Sequence, residues 1–144
     1  MNSKDIYQIV VKELASEFRA HGYERLKGTF PAWTKQVNGM FATVWFQVAR
    51  QGGEFTIGFQ YGLTPEPGTG KWNETRRRRF FGLLDYSEQR HVSRKFPKGH
   101  LTANEDYWFL ATNREMVLAV AEWFKPKIDM LINRIVTEAH NIQP

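Results

Sequence analysis

The chain has 144 residues, no cysteine and a formal charge of +5, and 42% of its residues are hydrophobic and 15% aromatic. That composition lies outside the range of disordered chains and supplies one buried core, so a single globular domain over 1–144 is expected. Absence of cysteine excludes disulfides, thiolate metal sites and cysteine nucleophiles together.

No apolar run approaches the ~18–20 residues needed to cross a bilayer. The start, Met-Asn-Ser-Lys-Asp-Ile-Tyr, carries no apolar segment followed by small residues, so no secretory signal is expected. A cytoplasmic protein with no membrane association fits these features. The charge is local: residues 71–100 hold nine Lys/Arg against three acidic residues. A segment of that kind attracts nucleic acid or an acidic protein.

In chain order, residues 4–20 predict an amphipathic helix, with Ile6, Ile9, Val10, Leu14 and Phe18 near helical spacing. Asn2 or Ser3 can cap its start, and Gly22 supplies a left-handed stop. Tyr23 to Phe30 predicts a short strand interrupted near Gly28, and Trp33 to Val37 a second. Asn38–Gly39 is the strongest hairpin signal in the chain, because both turn positions favour residues that tolerate positive φ.

The hairpin Phe41–Tyr61 follows, reversing at Gln51–Gly52–Gly53. In its second half Phe55, Ile57, Phe59 and Tyr61 fall on one face and Thr56, Gly58 and Gln60 on the other. The short side chains of that second face suggest room above the sheet for a ligand, with the loops on either side closing over it. Thr64 to Asn73 is a loop by its prolines and glycines. Residues 76–84 predict a further strand, 85–104 a second long polar loop, and Asp106 to Ala111 a short strand.

Thr112 to Glu115 predicts a capping box. A helical stripe then runs through Val117, Val120, Ala121, Phe124, Ile128, Leu131 and Ile135. Pro126 must kink that helix or divide it. The stripe resumes in phase after the proline, which favours a kink.

Four arginines, Arg76, Arg77, Arg78 and Arg79, form the sharpest single feature. On a strand, Arg76 and Arg78 project from one face and Arg77 and Arg79 from the other, so all four cannot line one groove. Two readings compete. Together with Arg94 and Lys95 they hold an anion or an acidic partner, or they protect an edge strand from intermolecular pairing. Among the aromatics, Trp72 stands in a loop beside Lys71 and the arginines and is the one candidate stacking platform; the others suit a sheet core.

Catalytic signals are lacking. No Gly-x-Ser-x-Gly, phosphate-loop or dinucleotide fingerprint occurs, and His21, His91, His100 and His140 show no metal-ligand spacing. His91 and His100 share a loop with Glu105 and Asp106, which carries little spacing information. No cofactor and no metal is therefore expected.

The helix ending at Phe18 to Tyr23, the following Trp33 and aromatic hairpin, the run Arg77-Arg-Arg-Phe-Phe-Gly-Leu-Leu84 and the segment Asp106-Tyr-Trp-Phe109 resemble a bacterial family, "domain of unknown function 4304". The likeness spans most of residues 10–140. It departs from the family pattern in lacking a His or Cys just before the basic strand. The resemblance implies an α+β domain without an assigned activity and supplies no catalytic residues.

The expected fold is α+β, an antiparallel sheet of about five or six strands with N-terminal and C-terminal helices packed on one face. The expected function is non-catalytic binding of a partner through residues 71–100. A nucleic-acid-binding protein using Arg76–Arg79 is the first alternative, and a small-molecule enzyme with a site on the open sheet face the second.

Overall fold

Alternation and turn chemistry build the sheet. The computed structural model describes residues 1–100 and 107–142. Strands β1 (Glu24–Leu26), β2 (Ala32–Val37), β3 (Met40–Val48), β4 (Glu54–Gly62) and β5 (Thr75–Arg79) lie side by side in chain order, every pairing antiparallel. Asn38 (φ 52°) and Gly39 (φ 81°) form the tight turn between β2 and β3, with both central residues in the left-handed region. The sixth strand, β6 (Phe109–Leu110), pairs with Glu54 and Phe55, so β5 and β6 share the outer edge of β4.

One face of the sheet is covered by helices. Helix α1 (Ser3–Ala20) begins at Asn2, whose side chain accepts the Asp5 N–H, and buries Ile6, Ile9, Val10, Leu14 and Phe18. It closes with the Tyr23 N–H bonded back to the Phe18 carbonyl (2.9 Å) across Gly22, at φ 86°. Phe18 stacks on Trp33 with ring centroids 4.4 Å apart, which fastens the helix to β2. The expected C-terminal stripe is buried at every position from Val117 to Ile135.

Pro126 divides that stripe. Helix α4 (Arg114–Phe124) and helix α5 (Ile128–Ile142) are joined by a 3₁₀ turn at Lys125–Lys127 containing the proline. The ring removes one backbone donor, and the tighter turn absorbs the loss while both helices stay on the core. Asn113, rather than Thr112, caps α4: its side chain accepts the Met116 N–H (3.0 Å), while the Thr112 hydroxyl points to the Met116 sulfur.

Two further elements differ from expectation. The basic strand ends at Arg79 instead of continuing to Leu84, because Phe80 and Leu83 turn inward on a short helix, α2 (Phe80–Leu83), and are buried there. The segment expected as a long loop contains helix α3 (Tyr86–Lys95), started by a reciprocal capping box in which Asp85 accepts the Glu88 N–H and Glu88 accepts the Asp85 N–H, both at 2.8 Å. The expected strand from Asp106 shortens to β6, and Asp106 itself lies outside the described residues.

A titratable cluster joins the end of α1 to the start of α5. The His21 ring donates to Asp129 and faces Glu17 at 3.1 Å, and the Tyr23 hydroxyl donates to Asp129 (3.0 Å). The Asp129 hydrogen bond and charge raise the His21 pKa. Burial alone would raise the Asp129 carboxyl, but the bonds from His21 and Tyr23 outweigh it and hold it below the usual carboxylate range.

A raised histidine stabilises the fold fully below its unfolded value of 6.5 and loses that contribution as pH rises through the folded pKa. The depressed Asp129 acts oppositely, losing its contribution as pH falls through its own folded pKa. Thermal melts across this range are expected to show stability declining above about pH 6.5, and His21→Gln is expected to flatten that decline. An unchanged slope in the variant would exclude His21 as its source.

Candidate functional site

Strand β5 lies beside Gly58–Gly62, and the strand period separates its arginines as expected. Arg76 and Arg78 point to the helix side, where both guanidinium groups meet the carboxylate of Glu138 on α5. Arg78 also donates to the Gly82 carbonyl (2.6 Å). On the other side Arg77 donates to the carbonyls of Thr69 (2.6 Å) and Gly70 (2.7 Å), and Arg79 lies over the Trp45 ring, 5.9 Å from its centroid. All four arginines therefore have partners within the protein.

The sheet face opposite the helices is filled rather than open, which corrects the expectation of room above it. Thr56 and Gln60 are fully buried. Trp45 stands opposite Gly58 in the pairing, and a Cβ on Gly58 would collide with its indole. Gln60 donates to the carbonyls of Thr64 (3.1 Å) and Glu66 (3.0 Å) and accepts the Gly68 N–H (2.9 Å). Thr43 donates to the Pro65 carbonyl (2.8 Å). The loop after β4 is thus a lid bonded to the sheet, and the place where a ligand was expected holds Trp45 and that loop.

Cations without such partners lie on α3. Its inner side is fixed: Glu88 receives Arg134 of α5 (Oε1 2.5 Å, Oε2 3.1 Å), Gln89 donates to the Phe81 carbonyl (2.9 Å), and Val92 is buried. The hydrogen bond from Arg134 holds the Glu88 carboxyl below its usual range. The single acid within the helix is therefore turned inward and neutralised.

The outer side is a stripe at helical spacing. Ser87, Arg90, His91 and Arg94 surround a shallow hollow of about 280 Å³. Arg90, Arg94 and Lys95 are exposed and have no hydrogen-bond or ion-pair partner among the described residues. Arg94 and Lys95 also oppose the negative end of the helix dipole, which supports the helix itself. Lys127, in the turn before α5, lies close enough to Lys95 that burial first and the Lys95 charge second push its pKa down. Tyr86 starts the helix at 74% exposure with Arg90 over its ring (5.6 Å), and Trp72 is 87% exposed in its loop.

Of the residues singled out in the sequence, Arg94 and Lys95 fall on this stripe or its edge, Arg76–Arg79 on β5 have partners within the protein, and Trp72 is exposed on the loop before β5. Tyr86 and Lys127 escaped sequence reasoning. The signal that finds α3, and Tyr86 with it, is Asp85-x-x-Glu88, a capping box within a polar stretch; nothing local marks Lys127. His91 lies exposed on α3, His100 donates its N–H to Glu54 (Oε2 3.0 Å), and Glu105 and Asp106 lie outside the described residues.

No helix among the described residues is long and apolar enough to cross a membrane. Comparison of the chain with protein-family models, curated proteins and solved structures finds no match.

The Glu138 bridge anchors β5 to α5. Glu138→Gln is expected to lower stability by about 1–2 kcal/mol, the range for partly buried charge-assisted bonds, read as a shift of the denaturant midpoint. A midpoint equal to the parent's would mean that Arg76 and Arg78 contribute nothing through it.

Proposed function

We propose that the chain is a non-catalytic binding domain that takes an acidic protein partner on the outer face of α3. The observation that supports this is the contrast within the basic segment. The arginines of β5 have internal partners, whereas Arg90, Arg94 and Lys95 are exposed on α3 with no carboxylate on the outer stripe. Arginines free of internal partners are well suited to carboxylates, because the planar fork meets both oxygens. The resemblance to the "domain of unknown function 4304" family fits this reading, since it implies an α+β domain with no activity assigned.

A second reading, nucleic acid, is favoured by the exposed ring of Tyr86, with Arg90 over it. Aromatic rings next to arginine suit unpaired bases, with stacking worth ~1–3 kcal/mol per base.

Fluorescence anisotropy at ~50 mM salt separates these readings, using a labelled poly-glutamate peptide and a labelled single-stranded oligonucleotide. Arg90→Gln together with Arg94→Gln is expected to weaken poly-glutamate binding at least tenfold, about 1.4 kcal/mol. Arg77→Gln is expected to leave it unchanged. Binding of the oligonucleotide that is lost in Tyr86→Ala, with poly-glutamate binding retained in that variant, selects nucleic acid instead. A parent chain that binds neither probe, or a double variant that binds like the parent, overturns both readings.

A further inference from the structure

A second site lies along α1, away from the basic segment. One side of the helix, at Lys4, Tyr7, Gln8, Val11 and Lys12, faces the stretch from Arg25 to Pro31 across an open groove of about 480 Å³. The spacing of those α1 residues is that of a single helical stripe. This volume falls within the ~300–1,000 Å³ range of small-molecule sites.

The floor is apolar. Val11 and the Tyr7 ring are half-buried and Pro31 is buried. The Tyr7 hydroxyl accepts the Val48 N–H (3.0 Å), so its polar end is already occupied by the sheet and the ring is what the groove meets. The Arg25 guanidinium lies over the Trp33 ring, 5.2 Å from its centroid, which fixes one charged wall.

The rim is cationic on both sides. Lys4, Lys12 and Arg25 border the groove, no carboxylate lines it, and none of the three has an ion-pair partner among the described residues. Lys4 and Lys12 are two turns apart, about 12 Å along the axis. An apolar trough with cations at both ends and on the opposite wall complements a linear anion with an apolar body.

Gly28 adds a further observation. A Cβ built there meets nothing within 4 Å, and its φ lies outside the left-handed region. Glycine at this position is needed neither for a left-handed turn nor for packing against the protein, although it lines the groove.

We propose that this groove binds a medium-chain alkyl carboxylate, with the chain along Tyr7, Val11 and Pro31 and the carboxylate held by the cationic rim. Burial of the chain supplies affinity, and the lysines and Arg25 select the sign of the head group.

Isothermal titration calorimetry with decanoate, held below its micelle-forming concentration, tests the assignment. The parent chain is expected to bind decanoate at one site and to ignore decyltrimethylammonium, which has the same tail with the opposite charge. Gly28→Leu, which adds a bulky side chain to the groove's lining at an exposed position, is expected to weaken binding at least tenfold. Lys4→Gln together with Lys12→Gln, at two exposed positions where folding is not at stake, is expected to do the same. Arg90→Gln with Arg94→Gln is expected to leave decanoate affinity unchanged, which separates this groove from the face of α3. Absence of binding to the parent, equal binding of the cationic amphiphile, or parent-like affinity in either groove variant overturns the proposal.

Discussion

Strand β4 is buried along its whole length, on both faces, and the rest of the structure follows from that constraint. Its apolar face, Phe55, Ile57, Phe59 and Tyr61, needs a helical layer, which α1, α4 and α5 provide. Its other face holds Thr56, Gly58 and Gln60, and two of these carry polar groups that cannot be buried without partners. The loop after β4 answers that need with backbone carbonyls from Thr64 and Glu66, and Thr56 donates to the Tyr107 carbonyl (3.0 Å). Trp45 occupies the gap left by Gly58. Among the described residues the centre of the strand is covered on both faces, by the helices on one and by Trp45 and the loop after β4 on the other.

The same constraint assigns work to the basic segment. Arg77 and Arg79 continue, on β5, the rows begun by Gln60 and Gly58, so they finish the lid and cover Trp45. Arg76 and Arg78 join the strand to α5 through Glu138. Charge density in the sequence is therefore a poor guide to charge available for a partner. Availability depends on whether internal acceptors lie within reach, and on α3 they do not. Its acid, Glu88, is taken by Arg134, and the remaining cations face outward.

Much of the sheet was legible because its signals are local. Alternation in β4, positive-φ residues at Asn38–Gly39 and the helical stripe of α1 each act over a few residues. That loops close over this face was expected; that the loop after β4 bonds directly to the sheet and leaves no room beneath it was not legible, because backbone carbonyls do the bonding and no side-chain pattern betrays them. Thr56, Gly58 and Gln60 read as the floor of a ligand site, since short and polar residues look alike whether covered by a ligand or by packed protein. Helix α3 was hidden by its polarity: Val92 is its one buried residue, so no stripe shows, and the capping box at Asp85 and Glu88 was the remaining sign. The break at Pro126 depends on how one 3₁₀ turn fits the core, which an in-phase stripe does not reveal. Within the basic segment, the two faces of β5 were foreseen, while the internal acceptors, Glu138 and the carbonyls of Thr69 and Gly70, come from distant or irregular parts of the chain.

The basic segment divides into arginines that hold the sheet together and cations that face outward on α3. Amide chemical-shift mapping by NMR during titration with a short poly-glutamate peptide addresses this division directly. Perturbations are expected at Ser87, Arg90, His91, Arg94 and Lys95, with β5 and the loop after β4 unmoved. Perturbations centred on Thr75–Arg79 and Thr69–Gly70, with α3 silent, would contradict it.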